Sequence, residues 1–221
     1  MSGDSDPLAV QRLAAMRRQY RTTGFDVGDL APTWCEQLRA WLADASRGGI
    51  IEPNAMVLAT AGEDCAPSAR TVLLKGLDHD GLVFYTNYTS RKGRDLAANP
   101  RAGLVFPWYE LQRQVHAEGT VERIPEADSA SYWASRPHGS QIGAAASPQS
   151  QVLGSRQELD DAAAALEQRF AGGPVPRPEH WGGLRLVPHT VEFWQGRADR
   201  LHDRLRYRQA EDGWVVERLA P

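Results

Sequence analysis

The chain has 221 residues, of which 42% are hydrophobic, and this is enough for one domain, or at most two, with a sizeable core. Its 25 Lys and Arg residues are outnumbered by 28 Asp and Glu residues, and the net charge of −3 argues against a protein that coats nucleic acid. Cations gathered locally around a small anionic ligand are the better expectation.

The N-terminal stretch carries no recognisable targeting signal. "MSGDSDPLAV" has neither a basic region nor an apolar one, and no apolar run in the chain approaches the roughly 18 residues of a membrane span. Cys35 and Cys65 form no C-x-x-C or metal-spaced pair, and the six histidines show no ligand spacing. The sequence therefore predicts a cytoplasmic protein without a bound metal.

The first part of the chain is predicted to be helical. Residues 7–20 read as a short amphipathic helix in an N-terminal arm that spans residues 1–30. Thr33 and Glu36 then form a capping box, and the apolar stripe behind them predicts a helix over 34–47.

Strand-like runs with a period of two follow. They are "AMVLATAG", "SARTVLLKGLD", "GLVFYTNY", "RAGLVFPWYE" and "RQVHAEGTVERI", and turn signals such as "DHDG" and "ANP" separate them. The pattern resumes in "WGGLRLVPHTVEFWQ" and ends in a hairpin that joins "RLHDRLRYR" to "WVVERLAP". These runs predict an antiparallel meander or barrel.

Three helical segments interrupt the strands. They are "SRKGRDLAA", "PEADSASYWASRP" and "SRQELDDAAAALEQRF", and Ser155 with Glu158 forms a capping box at the start of the third. The fold class is therefore mainly β with flanking helices (α+β), in a single domain over residues 1–221.

Two of these segments carry possible anion sites. Ser90 can cap "SRKGRDL", where free N–H groups and the helix dipole favour negative charge, and Arg91 and Lys92 add cations at that end. In "YWASRPHGSQ", Tyr132 and Arg136 are four residues apart on one helical face. An ordinary capped surface helix also explains the first pattern, and a favourable cation at a helix C-terminus explains the second.

A cationic stripe lies near the C-terminus. A cation or histidine occupies every second position of "RLHDRLRYR": Arg200, His202, Arg204, Arg206 and Arg208. A period of two places all five on one face of a strand, with the intervening leucines and tyrosine on the other. For Arg206 and Arg208 we favour solvated charges on an edge strand, whereas for the other three an edge strand and an anion site are both open.

The strand "RTVLLK" has a cation at each end, Arg70 and Lys75, and their offset directs them to opposite faces, so that one strand could serve two ligands. The sequence has no dinucleotide-binding, Walker or nucleophile-elbow motif. Together with planar side chains at Trp194, Trp108 and Tyr85, the anion clusters predict a flat phosphorylated cofactor and a phosphorylated substrate. FMN fits this description, because its ring needs stacking surfaces and its phosphate needs a cradle.

Dispersed motifs occur in one order along nearly the whole chain: "MRRQY", "NAMVLAT", "RTVLLK", "FYTNYTSRKG", "FPWYELQRQV", "YWASRPHGSQIGA", "FWQGRADRLHDR" and "ERLAP". In these motifs the chain resembles the pyridoxine/pyridoxamine 5′-phosphate oxidase family. The resemblance implies a split antiparallel β-barrel homodimer with FMN at the subunit interface. It also implies oxidation of pyridoxine or pyridoxamine 5′-phosphate to pyridoxal 5′-phosphate, with O₂ as acceptor and H₂O₂ as product. The alternatives are a related FMN-dependent oxidase of another ring substrate, as in phenazine biosynthesis, and a non-catalytic protein that binds flavin or pyridoxal phosphate.

The resemblance also implies the site residues, motif by motif. FMN would be held by Arg70, Thr71, Val72, Leu73, Leu74, Lys75, Tyr85, Thr86, Arg91, Lys92, Gln114, Gln149, Ser150, Trp194 and Arg204. The substrate phosphate would be held by Lys75, Tyr132, Arg136 and Ser140. Arg200 and His202 would be the catalytic residues, on the side of the pyridine ring away from flavin, and Arg17 and Tyr20 of the arm would close over the substrate. The chain departs from the family pattern at Ala145, where the family has tryptophan, and at His138, and both departures bear on the shape of the pocket.

Overall fold

The computed structural model describes residues 15–16, 19–20 and 22–221. Arg17 and most of the helix predicted over 7–20 lie outside the described residues. In the described part of the chain there are five α-helices: α1 (Trp34–Arg47), α2 (Arg91–Ala98), α3 (Glu126–Ser135), α4 (His138–Ala146) and α5 (Arg156–Arg169). None of the helices described is long and apolar enough to cross a membrane.

One antiparallel sheet contains all the strands of the described residues: β1 (Ala55–Ala61), β2 (Pro67–Leu73), β3 (Gly76–Asp78), β4 (Gly81–Asn87), β5 (Arg101–Trp108), β6 (Arg113–Arg123), β7 (Trp181–Gln195), β8 (Asp203–Ala210) and β9 (Gly213–Arg218). The main path of the sheet has the order β2-β1-β5-β6-β7-β4-β3. The long strand β7 also pairs with β8, which in turn pairs with β9. The predicted class, mainly β with flanking helices, is confirmed.

The three predicted N-caps are present. The side chains of Thr33, Ser90 and Ser155 accept the backbone N–H groups of Glu36, Gly93 and Glu158, at 3.2, 3.3 and 3.3 Å. Each cap satisfies a donor that the first turn of a helix leaves without an intrahelical partner, which fixes where the helix begins.

Two elements differ from the prediction. The run predicted as one strand from Ser68 to Asp78 is divided into β2 and β3 by a break at Leu74 and Lys75. Helix α4 was not predicted, because its short, small-residue sequence "HGSQIGAAA" has almost no apolar periodicity. It is stabilised by packing, since Ile142 is only 4% exposed and contributes to a small core with Trp133 and Trp181.

The prediction that residues 200–208 form one continuous strand is wrong for its first half. β8 begins only at Asp203, so Arg200 and His202 precede the strand. The backbone turns sharply there, with Asp199 and Arg200 at φ values of 55° and 63°, and Leu201 is 70% exposed instead of facing the core. The alternation holds from Leu205 onward, where both Leu205 and Tyr207 are buried.

In the second half of the stripe, Arg206 and Arg208 do not lie on an edge strand, and both are paired with a carboxylate. β8 lies between β7 and β9. Arg206 and Arg208 both bind Glu217 of β9, with their Nη2 atoms 2.6 and 2.7 Å from its carboxylate oxygens. The two guanidinium groups lower the pKa of Glu217 to about 2 through these hydrogen bonds. The solvated edge-strand reading of these arginines is therefore wrong.

The main core lies between the sheet and α1. It includes Trp34, Leu38 and Trp41 of α1 together with Phe106 of β5 and Phe193 of β7. Trp108, which the sequence suggested as a planar ligand surface, belongs to this core, because it is 2% exposed and its indole N–H donates to the carbonyl of Pro53 at 3.0 Å.

Candidate functional site

The largest group of predicted site residues lines one open cavity of about 740 Å³. Strands β2 and β4 form one side of it, and helices α3 and α4 with the loop after α4 form the other. The volume is in the range of small-molecule and cofactor pockets. Its lining includes Arg70, Thr71, Val72, Leu73, Lys75, Tyr85, Thr86, Lys92 and Gln149 from the predicted cofactor set, and Lys75, Tyr132, Arg136 and Ser140 from the predicted substrate set.

A buried lysine occupies one end of the cavity. Lys92, in the first turn of α2, is 9% exposed, and its Nζ atom donates to Thr86 Oγ1 at 3.2 Å and to Gln149 Oε1 at 3.0 Å. These acceptors are neutral. Burial, with a smaller contribution from Arg70, lowers the pKa of Lys92 to about 8. A buried cation beside a helix N-terminus and without a carboxylate partner is suited to an anionic ligand.

Arg70 is held beside Lys92 by contacts from two elements. Its Nη1 donates to Leu58 O at 3.2 Å and to Thr60 Oγ1 at 2.7 Å, and its Nη2 lies 3.7 Å from Asp95 Oδ2 of α2. Burial lowers the pKa of Arg70, although Asp95 opposes the shift. These contacts fix the guanidinium before a ligand arrives, which reduces the entropy lost on binding.

The pKa of Lys92 predicts a pH-dependent anion affinity. Below pH 8 the ligand-free protein presents the ammonium form, whereas above pH 8 binding of a phosphate dianion must be coupled to uptake of a proton. The affinity for a phosphorylated ligand at Lys92 should therefore fall by up to about tenfold per pH unit above pH 8. The unfolded chain, with an ordinary lysine pKa, binds more protons in the same range, so the stability of the FMN-free protein should rise from pH 8 toward 10.5.

Fluorescence titration with FMN, the cofactor that the family resemblance implies, at pH 7 to 10 checks the first effect, and urea unfolding of the ligand-free protein checks the second. Lys92→Arg, which stays charged throughout, is the matched control and should remove both pH dependences. Parallel pH profiles for the two proteins would contradict the assignment.

Arg136 lies at the other end of the cavity with an unsatisfied donor. Its Nη1 atom is buried and has no hydrogen-bond partner among the described residues. The guanidinium carbon lies 4.8 Å from the ring centroid of Trp181 and 5.2 Å from that of Trp133. Burial lowers its pKa. Because orphaned buried donors are rare in folded proteins, Arg136 is a candidate to bind an anionic ligand.

Stacked aromatic rings form a wall next to Arg136. Tyr85 and Tyr132 stack with centroids 3.9 Å apart, and Trp181 is nearly parallel to Tyr85 at 5.4 Å. Bare backbone allows this packing, since a Cβ atom on Gly183 would lie 2.9 Å from the Tyr85 ring. Sequence reasoning missed Trp181, although the adjacent "WGG" was a signal for close approach of a ring to the backbone.

Lys75 and Arg70 line the same cavity, so the prediction that they serve opposite faces of one strand is wrong. β2 ends at Leu73, and Lys75 instead donates its backbone N–H to Val83 O at 2.8 Å. The period of two therefore does not extend to Lys75. The cavity lining also includes residues that were not predicted: Asn87, Ser135, Pro137, Gly143, Ala144, Ser147 and Trp181.

Other residues of the predicted sites line different cavities. Tyr20, Arg200 and His202 line a second cavity of about 610 Å³. Tyr20 also lines a third, of about 450 Å³, together with Gln114 and Trp194. The His202 ring packs against Trp194, with centroids 4.6 Å apart, and against Tyr20 at 5.7 Å.

Four residues of the predicted cofactor set do not line these cavities. Leu74 is buried in the main core, and Arg91 and Ser150 are exposed. The Arg204 guanidinium binds both carboxylate oxygens of the buried Glu192, at 2.7 and 3.0 Å, and these hydrogen bonds raise the pKa of Arg204. Arg204 is thus held rigidly by β7.

Neither of the two positions that depart from the family pattern, Ala145 and His138, is among the residues that line the cavity. His138 Nε2 is 3.1 Å from Glu167 Oε1 of α5, and Ala145 packs against the small core that contains Trp133 and Trp181.

Comparison with known families gives two adjoining matches. A family described as pyridoxamine 5′-phosphate oxidase matches residues 42–170, and one described as pyridoxine 5′-phosphate oxidase C-terminal dimerisation region matches residues 181–221. Both matched segments contribute strands to the same sheet, because β7 pairs with β4 and β6 as well as with β8.

Individual relatives are similar in sequence to this chain over nearly its whole length. A pyridoxine/pyridoxamine 5′-phosphate oxidase from Frankia alni is 59% identical, over 94% of this chain and 88% of the relative. One of the same name from Saccharopolyspora erythraea is 54% identical, over 99% of this chain and 98% of the relative. Among solved structures, PhzG from Burkholderia lata 383, in complex with tetrahydrophenazine-1-carboxylic acid, is similar with a TM-score of 0.83 and 35% identity, over 88% of this chain and 95% of that one.

Proposed function

The chain belongs to the pyridoxine/pyridoxamine 5′-phosphate oxidase family, and from this premise we propose how its own residues hold FMN and a phosphorylated pyridine. It is an FMN-dependent oxidase with the family's split-barrel fold, and it converts pyridoxine or pyridoxamine 5′-phosphate to pyridoxal 5′-phosphate. We propose that it is a homodimer, which the match of residues 181–221 to a C-terminal dimerisation region supports.

The FMN phosphate binds at the Lys92 end of the cavity. Lys92 and Arg70 supply two cations, and the capped first turn of α2 supplies backbone N–H groups. Lys92 has neutral hydrogen-bond partners and Arg70 is paired with Asp95, so a phosphate would supply the counter-charge that Lys92 lacks. Arg91 and Ser150 are further proposed ligands.

The substrate phosphate binds at the Arg136 end. The buried Nη1 of this half-buried arginine, which has no partner among the described residues, is the observation that carries the proposal, because a phosphate oxygen would satisfy it. Lys75, Tyr132 and Ser140 line the same cavity and add a cation and two hydroxyl groups.

Completion of the site requires a second subunit. Arg200, His202, Gln114 and Trp194 are proposed to act on the same flavin and substrate, yet in one protomer they line cavities other than the one with Lys92 and Arg136. The dimerisation region contains three of these four residues. We therefore infer that each site combines the Lys92 cavity of one protomer with the C-terminal residues of its partner.

This arrangement predicts that dilution below the dimer dissociation constant releases FMN, because a site shared between subunits is incomplete in a monomer. Light scattering combined with flavin absorbance across a dilution series measures both quantities together. A monomer that retains stoichiometric FMN would contradict the shared site.

The reaction removes a hydride and a proton from the substrate. Oxidation of the alcohol takes the hydride from carbon and the proton from oxygen. Oxidation of the amine takes the hydride from carbon in the same way, and formation of the aldehyde then consumes water and releases ammonia. FMN, when bound, supplies the hydride acceptor, and O₂ takes up two electrons and two protons to give H₂O₂. The protein's residues hold the phosphate, and thereby the reacting carbon, at a fixed distance from the flavin position.

Anaerobic mixing of the FMN-loaded protein with pyridoxine 5′-phosphate tests the function. We expect loss of the flavin absorbance band, followed by its return with H₂O₂ when O₂ is admitted. A flavin band that persists with both vitamers would indicate a binding protein. Bleaching by a carboxylated tricyclic substrate and not by either vitamer would indicate the related ring oxidase.

Arg200 is proposed to lie flat on the pyridine ring, which a planar guanidinium can do and an ammonium cannot. Arg200→Lys should therefore lower the maximal rate by about tenfold, which corresponds to about 1.4 kcal/mol. Arg206→Lys is the matched control, because Arg206 is bound to Glu217 on the surface of β8, and it should change the rate by less than about twofold. Steady-state kinetics at saturating FMN compare the two, and equal effects would remove the special role of Arg200.

A further inference from the structure

The loop that carries Arg200 and His202 folds back on itself. Leu201 donates its backbone N–H to Ala198 O at 3.1 Å, and Asp199 and Arg200 both have left-handed backbone angles. Such angles are uncommon outside glycine and persist only where surrounding contacts determine them. In consequence the backbone N–H of Arg197 faces the ring of His202.

That N–H donates to Nδ1 of His202 at 3.1 Å. A nitrogen that accepts a hydrogen bond from a main-chain amide cannot carry a proton itself, so the neutral ring bears its proton on Nε2. The pKa of His202 is lowered by burial and by the charge of Arg200, with Asp203 opposing, and the neutral ring is therefore the form present near pH 7.

Arg197 is itself anchored. Its Nη1 donates to Asp203 Oδ2 at 2.9 Å, and the same oxygen accepts the backbone N–H of Phe25 at 3.0 Å. The other Asp203 oxygen accepts Nη1 of Arg218 at 3.0 Å. Burial alone would raise the pKa of Asp203, but these hydrogen bonds outweigh burial and the pKa is lowered. The carboxylate therefore stays ionised and holds Arg197 in place.

We propose that the main-chain N–H of Arg197 fixes His202 in the Nε2–H tautomer, so that His202 serves the substrate as a hydrogen-bond donor and not as the proton acceptor. The lone pair that could take a proton is on Nδ1 and is already occupied by Arg197. The substrate's alcohol proton must then leave by another route, such as water. This inference rests on the proposed position of His202 beside the substrate.

The tautomer is measured without any substrate, by long-range ¹H–¹⁵N NMR correlation of the histidine rings in FMN-loaded wild-type protein at pH 7.5. The His202 signals are assigned with the His202→Gln variant. We expect a protonated Nε2 and an unprotonated Nδ1. A ring protonated on Nδ1 would overturn the proposal, whether or not the protein oxidises either vitamer.

The role is tested by two substitutions, each checked first for FMN content. His202→Gln keeps an N–H donor near the position of Nε2, whereas His202→Asn keeps an acceptor near Nδ1 and has no donor at the far end. A donor role predicts that Gln stays within about threefold of the wild-type rate and Asn loses about tenfold, the effect of one hydrogen bond. A proton-acceptor role predicts that both lose at least about a hundredfold, since neither amide can accept the proton.

The pH profile is a further readout. The titratable and charged groups that face His202 are Tyr20, Arg197, Arg200 and Asp203. A donor keeps its Nε2 proton whether or not Nδ1 is protonated, so any acid limb in the wild-type pH profile should survive in His202→Gln. Loss of the limb in this variant, together with a hundredfold lower rate, would make His202 the acceptor. Failure of the wild type to bleach with either vitamer would remove the proposed function and leave the tautomer result standing.

Discussion

Replacing Arg136 with methionine should lower kcat/KM for pyridoxine 5′-phosphate by about a hundredfold, because a charge-assisted hydrogen bond to phosphate contributes about 2–3 kcal/mol. Methionine has a similar length and can pack between Trp133 and Trp181, so the fold and the FMN content should be retained. Steady-state kinetics with the phosphorylated vitamer measure the loss.

The same assay with unphosphorylated pyridoxine separates the phosphate contact from general damage. Arg136→Met should leave kcat/KM for this substrate nearly unchanged, so that the preference for the phosphate ester disappears. His138→Gln is a matched control, because His138 is near Arg136 in the chain but contacts Glu167. An equal loss with both substrates would mean that Arg136 shapes the cavity and does not bind phosphate.

Lys92→Met should weaken FMN binding by about a hundredfold, since the variant removes a buried cation from the proposed phosphate site. The FMN-free protein should not be destabilised, because the lysine ammonium is buried without a carboxylate partner and its removal abolishes that desolvation. FMN should then raise the Tm of the variant much less than that of the wild type.

Arg94→Met supplies the control for helix α2. It removes the same charge from the same helix, but Arg94 is exposed and donates to the carbonyl of Thr89. Its FMN dissociation constant should stay within about twofold of the wild-type value, as expected for a surface charge. Similar weakening in both variants would indicate that only the overall charge of α2 matters.

The sequence by itself determined those features that depend on near neighbours in the chain. The caps at Thr33, Ser90 and Ser155 each need only a hydroxyl and an N–H group three residues away, and all three helices begin there. The antiparallel strands follow from a period of two that is visible within each run. The order of the motifs was likewise sufficient for the family, which the comparisons confirm.

Tertiary structure decided which of the cations have partners. Arg204, Arg206 and Arg208 look alike in sequence, but Arg204 binds Glu192 of β7, whereas the other two share Glu217 of β9. These pairings are set by strand register across the sheet, which a single run cannot reveal.

The conformation of the loop before β8 could not be predicted from the sequence either. The alternation of residues 200–208 predicted a continuous strand, but left-handed angles at Asp199 and Arg200 turn the backbone so that Arg197 reaches His202. The orphaned Nη1 of Arg136 likewise depends on how α3, α4 and β7 pack around it. Backbone angles at such positions and the burial of a donor are fixed by contacts between distant segments, and for that physical reason only the folded chain determines them.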